Sequence, residues 1–203
     1  MILSVIAVLA SYLLGSVSFS VVIAKALKGI DIRQHGSGNA GATNTLRVLG
    51  TGPAILVLTL DVLKGIAAVW IGRWLGDGSV WVPALCGIAV IIGHNWPVYF
   101  RFRGGKGIAS TIGVMASLFF LPALYAGIIA ILSIVFTRYV SLGSLIFVLL
   151  TPVFLVISEG IGPYFWVSLL ICLFAVWRHR TNIVKLVQGK ENKLGSKGGK
   201  RVG

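Results

Sequence analysis

The sequence predicts an all-α polytopic membrane protein of about seven transmembrane helices, with the N-terminus outside and the C-terminus cytoplasmic. Three observations carry that prediction. The 203 residues are 57% hydrophobic and only 11% charged, with a mean hydropathy of +0.95, a composition suited to lipid rather than water. Apolar runs cover residues 2–24, 53–74, 80–92, 108–121, 122–136, 140–157 and 161–177. The connections between those runs alternate between basic and non-basic, as the positive-inside rule requires.

Taken in order, the first run follows Met1 directly. No basic stretch precedes it and no cleavage pattern follows, so it is expected to be retained as a span. The next connection carries Lys25, Lys28, Arg33 and Arg47 against Asp31 and belongs inside, whereas residues 76–79 carry only Asp77 and belong outside. Residues 93–107 are again strongly basic. An uncharged turn near Leu121, then Arg138, then Glu159, then a basic tail complete the alternation. Pro122 is expected to divide residues 108–121 from 122–136, because an unbroken helix there would spoil the pattern. Several runs fall short of the ~20 residues of a straight span, as expected where polar loops indent the protein. Trp74, Trp81 and Trp166 fall near outer span ends and Trp177 near an inner one, forming an aromatic belt. Residues 1–190 are expected to form a single transmembrane domain, and 191–203 a basic, flexible tail whose last third carries no functional argument. No internal repeat points to an inverted-repeat transporter.

The most cationic passage between two apolar runs is GHNWPVYFRFRGGKGIAS, residues 93–110. No carboxylate lies near Arg101, Arg103 and Lys106 in the sequence. Gly104, Gly105 and Gly107 surround Lys106 just before an apolar helix, so free backbone N–H groups and an ammonium face the same place, which makes a phosphate cradle. The GxxxxGK[ST] nucleotide pattern is not met, since Phe100 stands where its first glycine belongs. On the first inner connection, His35 to Arg47 reads HGSGNAGATNTLR. Gly38 and its neighbours let the backbone fold tightly, Ser37, Asn39, Thr43 and Asn44 supply hydrogen bonds, and Arg47 supplies a fork for phosphate or carboxylate.

Three further polar features lie in or beside the spans. Asp61 and Lys64 share a helix face, and a mutual pair satisfying two buried charges is weighed above direct chemistry. Ser141 and Ser144 either donate to a phosphate or bond back to their own helix. The last span ends in Trp177-Arg178-His179-Arg180-Thr181-Asn182, where His179 is either a cap or part of a site. The three inner-face clusters are expected to converge on one site that an anionic, lipid-linked substrate enters from the bilayer.

The net charge of +13 fits anionic lipid headgroups and phosphorylated substrates, not nucleic acid, because the basic residues sit at span ends and in loops. Cys86 and Cys172 read as core thiols. Asp31, Asp61, Asp77, Glu159 and Glu191 are the five carboxylates, and none has metal-ligand spacing to His35, His94 or His179, so neither metal nor cofactor is expected. A Ser-His-Asp relay lacks a visible carboxylate near His94 or His179. The HxxxxD arrangement of soluble glycerolipid acyltransferases is also absent, with Ala40, Tyr99 and Val184 where its aspartate would stand. A site rich in cations and poor in bases suits an activated substrate whose leaving group needs charge stabilisation.

Ser37 to Asn44, residues 93–110, and RHRTNIVKLVQGKENK from Arg178 to Lys193 resemble the three cytoplasmic motifs of the bacterial integral-membrane acyl-phosphate:glycerol-3-phosphate acyltransferases. The resemblance implies seven spans in the bacterial cytoplasmic membrane and an active site on the cytoplasmic side. It also implies acyl transfer from acyl phosphate to glycerol 3-phosphate, without a cofactor or an obligate protein partner. It matches Ser37 and Arg47 to the first motif, His94 and the glycines around Lys106 to the second, and His179 and Asn182 to the third, with Glu191 structural. Arg103 departs from the lysine of many relatives but keeps the charge. The implied division of labour has Lys106 and Arg47 holding phosphates while Ser37, His179 and Asn182 orient donor and acceptor. A transporter of phosphorylated metabolites is the alternative, and the short, nearly uncharged outer connections count against it.

Overall fold

The computed structural model describes residues 1–195, so the end of the expected tail, 196–203, lies outside the described residues. Within them all regular structure is helical: α1 (Ile2–Ser16), α2 (Phe19–Lys28), α3 (Ala42–Leu49), α4 (Thr51–Leu75), α5 (Trp81–Asn95), α6 (Ile108–Leu118), α7 (Phe120–Thr137), α8 (Val140–Glu159), α9 (Pro163–Arg178) and α10 (Arg180–Val187). Short 3-10 turns occupy Ile32–Gln34 and Val98–Phe100. Five stretches are long and apolar enough to cross a bilayer: Ile2–Lys28, Thr51–Leu75, Trp81–Phe100, Phe120–Thr137 and Val140–Glu159. The pair α9 and α10, bent by 63°, makes a sixth if counted as one span, and α6 is a shorter apolar helix. The chain is thus a multi-pass membrane protein built from two compact units, one of residues 1–114 and one beginning at Met115.

In the first unit, helices meet backbone to backbone through glycine. A Cβ on Gly15 of α1 would overlap the Val90 backbone of α5, and one on Gly93 of α5 would overlap the Tyr12 carbonyl of α1. Gly65 of α4 stands in the same relation to the Ser110 carbonyl of α6, and Gly113 of α6 to the Val62 carbonyl of α4. Lipid is as apolar as a leucine side chain, so helices associate there by close contact, which small residues permit.

The first span departs from expectation. Residues 2–24 read as one apolar run, yet the helix stops after Ser16, and Val17 (φ −70°, ψ 106°) and Ser18 (φ −89°, ψ 91°) are extended. The break frees backbone carbonyls at membrane depth, where each orphan costs several kcal/mol. Lys64 Nζ satisfies two of them, donating to Gly15 O at 3.1 Å and Val17 O at 2.9 Å, while pairing with Asp61 Oδ1 at 2.7 Å. The pair expected at these positions is therefore present, and it also reaches a second helix.

The second unit packs α7 along α8, with Gly143 against Ile134 and the Ala130 carbonyl, and Tyr125 edge-on to Phe154 at 5.9 Å. The division near Pro122 is real but falls earlier, at Phe119 (φ −149°, ψ 78°). Pro122 lies in the first turn of α7, where its missing N–H has no helical acceptor, so it helps to start a helix rather than stop one. At the α7–α8 turn, Arg138 donates from Nε and Nη2 to Leu194 O, and Leu194 N returns a bond of 2.7 Å to Arg138 O.

The α1–α5 crossing yields a packing prediction. Gly93→Ala is expected to destabilise the protein by about 2–3 kcal/mol through overpacking against backbone that cannot move aside. Gly52→Ala, with open space around it, is expected to be neutral or slightly stabilising. Thermal unfolding of both variants in detergent checks the contrast; equal midpoints would contradict the crossing.

Candidate active site

The first loop is shaped by side chains that bond to its own backbone. Asp31 Oδ1 accepts from Arg33 N at 3.0 Å, and the Arg33 guanidinium grips the same carboxylate from Nε at 2.9 Å and Nη2 at 2.7 Å. Gly36 (φ 60°) and Gly38 (φ 73°) take left-handed conformations that turn the chain between them. Asn44 is 1% exposed: its Oδ1 accepts from Ser37 N at 2.8 Å, and its Nδ2 donates to Ile32 O and His35 O at 3.1 and 3.0 Å. The Asn44 side chain therefore folds the loop, leaving Ser37 and Gly38 exposed at its tip. Asn39, Thr43 and Arg47 are partly buried, with Arg47 in the last turn of α3.

The second loop leaves α5 at Asn95 and turns at Pro97, whose carbonyl accepts from Phe100 N at 3.1 Å and Phe102 N at 2.9 Å. Arg101 (φ 56°) and Phe102 (φ 58°) are consecutive non-glycine residues in the left-handed region, at a cost of about 1–2 kcal/mol each. Surrounding contacts hold them there. Arg33 Nη1 donates to Phe100 O at 2.9 Å and Arg103 O at 3.4 Å, and its guanidinium lies 5.7 Å from the centre of the Phe100 ring. From sequence, Arg33 read only as a topology charge. Its second role depends on partners 67 and 70 positions away, which no local pattern reveals.

The glycines around Lys106 are where the two loops touch. A Cβ on Gly105 would overlap both the Ala40 carbonyl of the first loop and His94 Nε2, and one on Gly104 would overlap the His94 carbonyl. Gly105 N donates to that carbonyl at 3.1 Å, and Gly107 (φ 82°) leads into α6. Lys106 is partly buried and Arg103 is exposed. His94 is buried with Nδ1 3.5 Å from Asp61 Oδ1. The expectation that no carboxylate approaches His94 is thereby corrected: Asp61 comes from a neighbouring helix, at a separation that a motif search does not span.

The third motif belongs to the second unit. His179, 2% exposed, sits at the bend between α9 and α10, and its ring donates from Nδ1 to Ala175 O at 2.8 Å. That bond fixes the proton on Nδ1. Asn182 Nδ2 donates to both oxygens of Glu191 at 3.0 and 3.1 Å, tying the segment after α10 back onto the helix. Ser144 Oγ bonds back to Val140 O at 2.8 Å, one of its two expected options. Ser141 Oγ is buried and has no hydrogen-bond partner among the described residues.

These features define a class: an integral membrane protein whose first unit joins two loops, one hydroxyl- and amide-bearing, one cationic and glycine-lined, into a surface suited to phosphate. A family model described as glycerol-3-phosphate acyltransferase matches residues 5–189. The glycerol-3-phosphate acyltransferase of Shouchella clausii is 61% identical over 97% of this chain and 99% of its own length, and that of Halalkalibacterium halodurans is 60% identical over 94% and 95%. Two crystal structures of PlsY (YgiH), an integral membrane glycerol 3-phosphate acyltransferase, superpose on this chain. The glycerol 3-phosphate form has a TM-score of 0.88 at 38% identity, covering 95% of this chain and 96% of that one. The lysophosphatidic acid form has 0.86 at 37%, covering 96% and 97%. This chain belongs to the glycerol-3-phosphate acyltransferase family, as the three motifs implied.

The Asp31–Arg33 pair gives the site a pH signature. The hydrogen bonds from Arg33 hold the Asp31 carboxyl below the usual carboxylate range. A folded value lower than the unfolded one adds stability that is complete above about pH 4 and is lost as pH falls through the depressed value. Asp31→Asn is expected to cost about 1 kcal/mol or less at pH 7 for so partly exposed a pair, and the gap from the native protein should close below about pH 4. Thermal midpoints at pH 7 and pH 3.5 check this; a gap that does not narrow would contradict it.

Proposed function

We infer that the protein transfers an acyl group from acyl phosphate to the 1-hydroxyl of sn-glycerol 3-phosphate, giving 1-acylglycerol 3-phosphate and inorganic phosphate, the first acylation of bacterial phospholipid synthesis. The observation that supports this reading is the contact of the two loops at Gly105, which packs against the Ala40 carbonyl and so joins the loop that carries Ser37 to the loop that carries Lys106. Both substrates carry phosphate, and the reaction releases one of the two as inorganic phosphate. Such chemistry needs cations and N–H donors placed in advance more than it needs a strong base.

In the reaction the glycerol oxygen attacks the acyl carbonyl carbon, the bond from that carbon to the phosphate oxygen breaks, and phosphate leaves with the electron pair. Lys106, Arg47 and the backbone N–H groups of residues 104–107 neutralise the phosphates. Ser37, His179 and Asn182 orient donor and acceptor, His179 through Nε2 because Nδ1 is engaged with Ala175 O. Asn44 acts by shaping the first loop, with Gly38, Asn39 and Thr43 lining it, and Arg103 adds long-range attraction for anions. Ser141 and Ser144 contribute hydroxyls from α8. The carboxylates nearest the motifs are each held by a cation or an amide, so a phosphate oxygen of the substrate accepts the hydroxyl proton. The chain crosses the bacterial inner membrane seven times, with α6 as the fourth crossing, the N-terminus outside and the site cytoplasmic. That topology is supported by the basic connections at residues 25–52 and 93–107. The enzyme works alone, without a protein partner, and residues 1–190 act as one transmembrane domain.

Purified protein in vesicles, given labelled glycerol 3-phosphate, is expected to make lysophosphatidate with acyl phosphate and none with acyl thioesters. Label accumulating inside vesicles without lipid product would instead indicate a carrier. Lys106→Met is expected to raise KM for glycerol 3-phosphate about 10- to 100-fold, the worth of one charge-assisted hydrogen bond. A native KM in that variant would remove Lys106 from the phosphate site.

A further inference from the structure

We propose that Asp61 and Lys64 are positioning residues: a clamp inside the membrane that orients His94 and, through it, the glycine loop around Lys106. The kinetic consequence rests on the acyltransferase reading above, whereas the geometry stands without it.

If the pair only cancelled two buried charges, each member would need only the other. Their side chains are 2% and 1% exposed, and both reach further. An ammonium has three N–H donors. Lys64 uses two of them on Gly15 O and Val17 O, at the break between α1 and α2, while its charge pairs with Asp61 Oδ1. The ammonium also lies 5.5 Å from the centre of the Phe19 ring, the first residue of α2. The same Asp61 oxygen faces His94 Nδ1 at 3.5 Å. The opposite edge of that imidazole, Nε2, fills the space where a Gly105 side chain would stand, and the His94 carbonyl accepts from Gly105 N. Contact is thus unbroken from the interrupted span through Lys64, Asp61 and His94 to the loop that presents Lys106. Two parallel ties run from the same part of α1: Tyr12 Oη donates to Trp96 O at 3.0 Å, and Ser16 Oγ accepts from Val98 N at 3.4 Å.

The physical logic is that of a carboxylate behind a histidine. An anion facing Nδ1 favours a proton on that nitrogen and holds the ring plane, so the Nε2 edge has one position. Gly105 has no side chain to buffer a shift of that edge. A rotated imidazole therefore displaces the loop N–H groups from the phosphate. Asp61 acts on substrate affinity without touching substrate.

Two measurements test this. In histidine-labelled native enzyme, with His94 assigned by loss of its signal in His94→Gln, the nitrogen-15 spectrum is expected to show His94 protonated at Nδ1. A bare Nδ1 in the native protein would overturn the proposal, whatever the variants do. Kinetically, Asp61→Leu combined with Lys64→Met removes both charges at once, and swapping a whole buried pair for apolar residues is often neutral for stability. Because it also leaves Gly15 O and Val17 O without their donor, this double variant is expected to unfold at a lower temperature, and, assayed below that midpoint, to show KM for glycerol 3-phosphate raised about tenfold with kcat changed less than about twofold. A lowered midpoint with native KM in the folded variant would mean that the pair serves stability alone and would overturn the positioning role. If the native enzyme made no lysophosphatidate but His94 still carried its Nδ1 proton, the functional reading would fail and the clamp would stand.

Discussion

Inside a bilayer a polar backbone group without a partner has no water to turn to, and the rest of this structure depends on how that constraint is met at Val17. The first span could have been one continuous helix. It breaks instead, and a lysine from α4 supplies the missing donors. A cation in lipid needs an anion beside it, which brings Asp61; that anion then faces His94, at the base of the cationic loop. A single irregularity in the first helix is thus linked to the loop through one run of buried polar contacts, among helices that glycine has let approach to backbone contact.

The same economy explains why the loops hold so many cations and so few bases. Asp31 is gripped by Arg33, Asp61 by Lys64, and Glu191 receives the amide of Asn182. Each carboxylate near a motif positions something else, so the proposed site is supplied with positive charge and N–H groups rather than with a carboxylate base. An acyl phosphate brings its own good leaving group and its own proton acceptor. Strain is concentrated in the same place. Arg101 and Phe102 are held left-handed by the contacts of Pro97 and Arg33, so the chain enters the glycines in a fixed direction.

Much of this was legible in the sequence, and what was not has a common cause. Hydropathy located the apolar runs, glycine marked the tight loop before α6, and the spacing of Asp61 and Lys64 announced their pairing, since all three signals are local. The break at Val17 was invisible because its flanking residues are as compatible with a membrane helix as with an interruption; the deciding partner, Lys64, lies on another helix. The approach of Asp61 to His94 and the reach of Arg33 to Phe100 were hidden for the same reason. Pro122 misled in the opposite way. A proline near a helix boundary signals that a boundary exists, but the first turn tolerates it as well as the position after the last, so the break fell at Phe119. Asn44 looked like a ligand group from its neighbours, and only its burial revealed three bonds to the loop itself.

The central claim is that residues 36–47 and 103–107 form a phosphate-binding surface held ready by buried contacts. Hydrogen–deuterium exchange of the purified protein, with and without glycerol 3-phosphate, tests it most directly. The account predicts that glycerol 3-phosphate slows exchange in both segments and that glycerol alone does not. Protection absent from these segments, or equally strong with glycerol, would contradict it.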